Sequence, residues 1–352
     1  MTELSSDGIV LLAKRPGVTS FSSLNNVKKS LHTTKVGHTG TLDSFAQGLL
    51  IVCTGKLTKL VSHITEFNKS YSAVLKFGEE TDTLEYTGNV VKNAPLPTLA
   101  SLKAAISAFT GELLQSPPSF SAIHVDGKRA SDLARQGISV EIPKRKITVF
   151  SADLRDVELE SGTDRVLYAK IDFSVSKGTY IRCLARDIAL ECGSAAHLVG
   201  LLRTKVGNFK LEEAAGVSLL KEFSIYSAKS AALENSKKNE SEKSEKNPSE
   251  QQTKKAPYIP TQEDLLIQKE ILEKLHGFTQ AESILCGFEN ISLKTKKNLS
   301  DFRNGKNLSF SMFSQFTILE EKKTLSVFYE DCFCGLIEAL PNKKLSYKFV
   351  IS

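Results

Sequence analysis

The chain has 352 residues, 41% of them hydrophobic, with 46 Lys and Arg against 40 Asp and Glu for a formal net charge of +6. That length and apolar content suit two domains with real cores, at roughly 150 residues apiece. The mild basicity points to an anionic partner without choosing among RNA, DNA and acidic membrane, while the lack of any apolar run near the roughly 20 residues of a membrane span excludes a spanning helix.

In chain order, the start MTELSSDGIVLLAKRPG places an acid before a short apolar run, which predicts no secretory signal. GHTGTLDSFAQGLLIVCTG (37–55) follows. Gly37 and Gly40 mark a turn, and Leu49–Leu50–Ile51–Val52–Cys53 reads as a buried strand closed by Gly55. A lone carboxylate, Asp43, therefore stands at the mouth of a core strand, beside His38. YSAVLKFG (71–78) and VLYAKIDFSVS (166–176) alternate apolar and polar residues, the pattern of half-buried strands. Between them Leu99, Leu102, Ile106 and Phe109 fall on one helical face, and a second helix is predicted over 181–191, ending at Gly193. Strands interspersed with helices predict an α+β domain over residues 1–225, around a mixed, mainly antiparallel sheet.

Within that domain QSPPSFSAIHVDGKRASDLARQG (115–137) combines Phe120 with Lys128, Arg129 and Arg135 on a proline-led loop, residue types suited to phosphate contact and base stacking. Composition shifts after 225. Residues 226–257 are dominated by Ser, Lys, Glu and Asn and predict a flexible linker, because such a segment buries too little apolar surface to offset chain ordering. Order resumes near Tyr258 in a C-terminal region, 258–352. Its tail reads as all strand, with Asn304–Gly305 and Pro341–Asn342 as turns, and predicts a small β-rich domain at about 290–352. The six cysteines are scattered, as in a reduced, cytoplasmic protein, and Cys332 and Cys334 lack a second pair at zinc spacing, so no metal site is expected.

Several stretches taken together resemble the TruB-type pseudouridine synthases. GHTGTLDSFAQGLL is similar to the catalytic motif, with Asp43 at the aspartate position. NKSYSAVLKFGEETDT (68–83) places Tyr71 at the active-site tyrosine, and SKGTYIRCLARDI (176–188) places Tyr180 and Arg182 at a tyrosine–arginine pair. KRPGVTS (14–20) and LLRTKVG (201–207) resemble two further motifs, and all occur in the family's order. The resemblance covers about residues 8–215. It departs at Ser44, where the family commonly has proline and where serine can cap the turn instead, at Gln47, and in KRPGVTS, whose proline sits one place late. The C-terminal domain matches the family's PUA-like module only loosely.

The resemblance implies isomerisation of the T-loop uridine of tRNA, position 55 in tRNA numbering, by a monomeric enzyme without guide RNA. It gives Asp43 the essential carboxylate and Arg182 the guanidinium that keeps it ionised. Tyr71 becomes the stacking platform under the uracil, Tyr180 a pocket hydrogen-bonder and Leu201 an apolar wall. His38 fills the space left by the flipped nucleotide, Lys14 joins the substrate contacts, and the insertion at about 115–140 grips the stem-loop through Lys128, Arg129 and Arg135. The chemistry agrees independently. Moving uracil from its nitrogen link to carbon 5 needs no redox change and no external atom, so no cofactor is expected, and the chain shows no nucleotide-binding glycine loop. Whether the aspartate attacks the sugar, attacks the base or assists glycal formation stays open. Taken singly, Asp43 is a turn residue, Tyr71 a strand aromatic and Arg182 an ion-pair arginine. It is their joint occurrence that argues for catalysis. Two competitors remain: a guide-dependent enzyme of the dyskerin type, against which the insertion argues, and a non-catalytic tRNA-binding or tRNA-folding protein, against which intact Asp43, Tyr71 and Arg182 argue.

Overall fold

A computed structural model describes residues 6–121, 123–125, 127–138, 142–234, 260–314, 323–341 and 344–351. The strand β1 (Gly8–Lys14) is buried at every position. Thr19 then caps α1 (Ser20–Ser30) by accepting the Ser22 N–H. The short β2 (Val36–His38) and β3 (Gln47–Thr54) bracket the Asp43 loop, and β3, the predicted core strand, pairs antiparallel with β1 over its whole apolar run. After α2 (Val61–Thr65) comes β4 (Lys69–Phe77), then the small pair β5 (Glu79–Thr81) and β6 (Val90–Asn93). The predicted helical face forms α3 (Leu99–Ala108), with Phe109 as its C-cap.

β7 (Gly111–Gln115) leads into the insertion, whose described part holds β8 (His124–Val125), β9 (Lys128–Arg129) and α4 (Ala130–Arg135). The long β10 (Arg145–Leu159) and β11 (Val166–Val175) follow. Next come α5 (Ile181–Glu191), β12 (Ala196–Val206) and β13 (Phe209–Lys210). The sheet runs β1-β3-β12-β4-β11-β10-β7, with β2 and β13 paired at its margins. Only β12 with β3 is parallel, so the sheet is mixed and mainly antiparallel, as the pattern predicts.

One face of the sheet packs under α3 and α5, where Leu102, Ile106, Leu184 and Ile188 meet Ala73, Leu75 and Ile171. The other face corrects two expectations. Residues 225–234 form a helix, α6, although 226–257 read as an unstructured linker. Ile225 and Ala228 pack on Val74 and Val199, and Lys229 donates to Glu158 at 2.6 Å. Under that cover β4 is buried on both faces where half-burial was expected, while β11 keeps its alternation. The rest of the predicted linker, 235–257, lies outside the described residues.

The C-terminal region begins with α7 (Gln262–Glu273), opened by a Thr261–Asp264 capping box. Its Ile267 and Ile271 pack among Val10, Leu12, Leu24 and Val27, so this helix completes the core formed by β1, β3 and α1. α8 (Gln280–Leu285) and β14 (Glu289–Ser292) follow. The tail is not all strand: α9 (Lys296–Arg303), capped by Thr295, interrupts it, turning Phe302 inward. Asn304–Gly305 is therefore a helix ending, with Gly305 at φ +67°, and no hairpin turn. β15 (Thr324–Tyr329), β16 (Cys332–Leu340) and β17 (Lys344–Val350) complete a four-stranded sheet in the order β14-β15-β16-β17. Of the Pro341–Asn342 turn, Asn342 lies outside the described residues, though β16 and β17 pair antiparallel on either side of it. Phe278, Phe288, Phe328 and Leu336 seat this unit against Ile9, Leu57 and Leu60. Among the described residues no helix is long and apolar enough to cross a membrane.

Candidate active site

The loop between β2 and β3 is fixed from three sides, and each tether acts on its backbone. From the start of α1, Ser20 Oγ accepts the Leu42 N–H at 2.9 Å and donates to the Leu42 carbonyl at 3.0 Å. From β1, Lys14 reaches in with 1% exposure. Its ammonium donates to the carbonyls of Arg15, Ser44 and Ala46 at 3.0, 3.2 and 2.7 Å. From β12, Arg203, also 1% exposed, donates through Nε to Leu49 O at 2.7 Å and through Nη2 to Gly40 O at 3.1 Å. Gly48 lets β3 run this close to β12: at φ +114° a Cβ there would sit 2.3 Å from the Arg203 carbonyl. The turn is held at Ser44, where the resemblance leads one to expect proline: its carbonyl accepts both Lys14 and the Gly17 N–H, the latter at 2.8 Å.

Lys14 thus departs from its expected place among substrate contacts. Its donors are directed at backbone carbonyls, and it does not line the cavity beside Asp43. Burial pushes its pKa down to about 7, with Asp43 pulling upward and Arg203 adding to the depression.

Asp43, with a side chain 36% exposed, faces Arg182 in the first turn of α5. Arg182 Nη2 donates to Asp43 Oδ1 at 3.2 Å, and Nε lies 3.1 Å from Oδ2. The guanidinium is held independently of the carboxylate, donating to Thr83 O and Phe120 O at 2.9 Å each. With its side chain only 6% exposed, it offers the carboxylate an aligned cationic partner in place of water.

An open cavity of about 1010 Å³ spreads over this pair. Tyr71, Tyr180, Leu201 and His38 all line it, together with Arg129 and Arg135. Lys128 is exposed on β9 but is not part of the lining. Tyr71 is 8% exposed and sits on β4 opposite Phe173 and Arg203. Tyr180 is the N-cap residue of α5. Its N–H donates to Gln115 Oε1 at 2.9 Å and its carbonyl accepts from Gln115 Nε2 at 3.1 Å. Burial, and then Arg203, lower the pKa of His38, which favours a neutral imidazole.

Four residues escaped the sequence reading. Lys69 and Arg145 add to the basic lining, and Arg203 clamps the loop. Glu85 is the fourth, in the polar turn EYTG, which carries no signal of burial. Its pKa is pushed up to about 7, chiefly by burial; the Thr87 hydrogen bond at 2.6 Å and Arg182 oppose the rise, while Asp43 adds to it. Among the described residues no three His, Cys, Asp or Glu gather as metal ligands.

Comparison with known proteins bears on this arrangement. The family model described as TruB family pseudouridylate synthase (N terminal domain) matches residues 28–181, a span holding Asp43, Tyr71 and Tyr180. A protein named tRNA pseudouridine synthase B from Treponema denticola is 41% identical over 365 aligned positions, covering 95% of this chain and 96% of that protein. Its namesake from Bordetella avium is 42% identical over 231, covering 64% and 92%. In fold, the chain is similar to a solved Cbf5-Nop10-Gar1 complex, with TM-score 0.61 at 20% identity over 98% of this chain and 85% of the matched one. It is similar also to an H/ACA RNP bound to a substrate RNA containing 2'-deoxyuridine, with TM-score 0.58 at 17% identity over 99% and 86%. With the motifs in order, an aspartate–arginine pair at the mouth of a mixed sheet, and identity sustained along almost the whole Treponema protein, the chain belongs to the TruB family of pseudouridylate synthases.

Proposed function

We propose that this protein isomerises the T-loop uridine of tRNA to pseudouridine, unaided by a guide RNA. The reading rests on one observation: a carboxylate on a clamped loop, paired with an independently anchored guanidinium, opens into a basic, aromatic cavity large enough for an extruded nucleotide. Flipping a base costs a few kcal/mol, which a fitted pocket offsets by stacking and edge hydrogen bonds. Tyr71 supplies the ring beneath the uracil, Tyr180 shapes the pocket, and Leu201 closes an apolar wall. His38, held neutral, occupies the place the nucleotide leaves.

Asp43 then acts as an ionised carboxylate while the bond from uracil nitrogen to the sugar breaks. The base turns, a carbon–carbon bond forms at carbon 5, and the proton lost there is balanced by one gained at the freed nitrogen. Nothing is oxidised and no atom is added. Attack on the sugar, attack on the base and assisted glycal formation all need that carboxylate, whichever route is taken. Arg129 and Arg135, at the cavity margin, and Lys128 beyond it bind the stem-loop. The catalytic unit comprises the main sheet with α6 and α7, and the sheet from Glu289 to Val350 forms a small PUA-like unit beside it.

The test is direct. Purified protein is incubated with an unmodified tRNA transcript, without guide RNA, and pseudouridine is mapped. Modification at the T-loop uridine alone is expected. Modification elsewhere, or only with a guide RNA added, contradicts the assignment.

A further inference from the structure

Arg145, the first residue of β10, holds its guanidinium 4.5 Å from the centre of the Tyr180 ring and lines the cavity beside Asp43. Its place is built into the fold. Arg145 pairs across the sheet with Gln115, the residue whose amide holds the Tyr180 backbone at both its N–H and its carbonyl. On another side Gly178, at φ +77°, comes so near that a Cβ would lie 3.5 Å from Nη1. The guanidinium thus lies over the Tyr180 ring. Hydrogen bonding is left to the edges.

Those edges set Arg145 apart from Arg182 and Arg203, the two buried arginines of the site. Arg182 donates to two carbonyls and Asp43, and Arg203 to two carbonyls. Arg145 Nε and Nη2 are shielded from solvent yet have no hydrogen-bond partner, and no carboxylate pairs with this residue among those described. Nε–H and Nη2–H lie on the same edge of a guanidinium, spaced to grip two oxygens of one anion. The lining around it is basic, with Lys69, Lys146 and Lys177 nearby and only Asp43 and Glu66 opposing. A planar, permanently charged fork with two unspent donors suits a phosphodiester better than any neutral acceptor.

We propose that Arg145 receives a backbone phosphate flanking the target uridine, its side chain turning the now-shielded Nε and Nη2 edge into the cavity to grip two of the phosphate's oxygens while Tyr180 backs the guanidinium. The inference rests on the proposed function, in that it takes the cavity's occupant to be a nucleotide in RNA.

A substrate cycle tests it. Stem-loop RNAs are made with natural phosphates, or with one neutral methylphosphonate either 5′ or 3′ of the target uridine, and their affinities are measured for wild type, Arg145→Gln and Arg145→Lys. Arg145→Gln should weaken natural RNA about tenfold or more, the usual scale for a lost charge-assisted bond. One of the two methylphosphonates should weaken the wild type to a similar extent, with no further loss in Arg145→Gln. Arg145→Lys, which keeps charge without the fork, should fall between. Losses that simply add at both phosphates overturn the proposal, and so does a variant that lowers turnover while leaving affinity and coupling untouched, which would make Arg145 a prop for Tyr180. Turnover of natural RNA by the wild type is scored separately: its absence defeats the function, whereas absence of coupling defeats only this assignment.

Discussion

Between β2 and β3, the loop bearing Asp43 is tied down by Lys14 and Arg203, two cations almost wholly out of water that act on carbonyls. Across the cavity, the insertion between β7 and β10 shows Lys128, Arg129 and Arg135 to solvent on a two-residue strand and a six-residue helix, anchored by Ala130 and Leu133. The same kinds of charge serve opposite purposes. Buried, they set the position of a reacting carboxylate, where a displacement of 1 Å can cost about a hundredfold in rate. Exposed, they attract an anion at long range and add little to folding.

Among changes outside Asp43 itself, breaking the clamp should have the largest effect. Lys14→Met and Arg203→Met each orphan buried carbonyls, at about 1–3 kcal/mol per group. Each should lower Tm by several degrees and cut single-turnover rate on the order of a hundredfold, with tRNA affinity close to wild type. Unchanged rate and Tm in both would show that the loop holds itself.

Next in size are changes at Tyr71, which sharpen the comparison from within the pocket. Tyr71→Phe keeps the ring and loses the hydroxyl, so affinity should persist while turnover falls. Tyr71→Leu also loses stacking, worth about 1–3 kcal/mol, and should weaken both. Two variants indistinguishable from wild type would make Tyr71 an ordinary core residue.

The exposed side of the comparison is broken by replacing Lys128, Arg129 and Arg135 together with alanine. Tm should hardly move. The slope of log affinity against log salt should flatten by up to about 2, at about 0.7 per phosphate contact on a single strand, and turnover at saturating tRNA should change less than affinity. An unaltered slope would move the grip elsewhere.

The smallest effect concerns Glu85. Its folded pKa of about 7 lies above the ordinary carboxylate value, so between those two values the native state binds the extra proton. Stability therefore falls as pH rises through that window, with the full cost present above about 7. Glu85→Gln removes the titration and retains an acceptor for Thr87. Its Tm relative to wild type should rise from pH 5 to pH 8, and a difference that shrinks would contradict the buried, reluctant carboxylate.

What was legible in the sequence follows from the range of the forces involved. β3 and α5 announce themselves because apolar periodicity and Gly193 are local signals. α9 was missed since its one strongly buried side chain is Phe302 among polar neighbours, and α6 since its few apolar residues gain meaning only from the face of β4 that they cover. Motif order placed Asp43, Tyr71, Tyr180 and Arg182, and the fold gathers them at one cavity. The role of Lys14 was not legible, because two of the three carbonyls it binds lie 30 and 32 residues away. Nor was that of Arg203, whose acceptor Leu49 is 154 residues distant. Glu85 and Arg145 likewise acquire significance only from what the fold packs against them.

The most direct measurement of the whole account is made on Asp43→Asn, which preserves size and removes charge. Single-turnover pseudouridine formation and tRNA affinity are measured side by side for this variant and wild type. The account predicts no detectable isomerisation with affinity retained, since only the chemical step needs the carboxylate. A variant keeping more than about a tenth of the wild-type rate would contradict it.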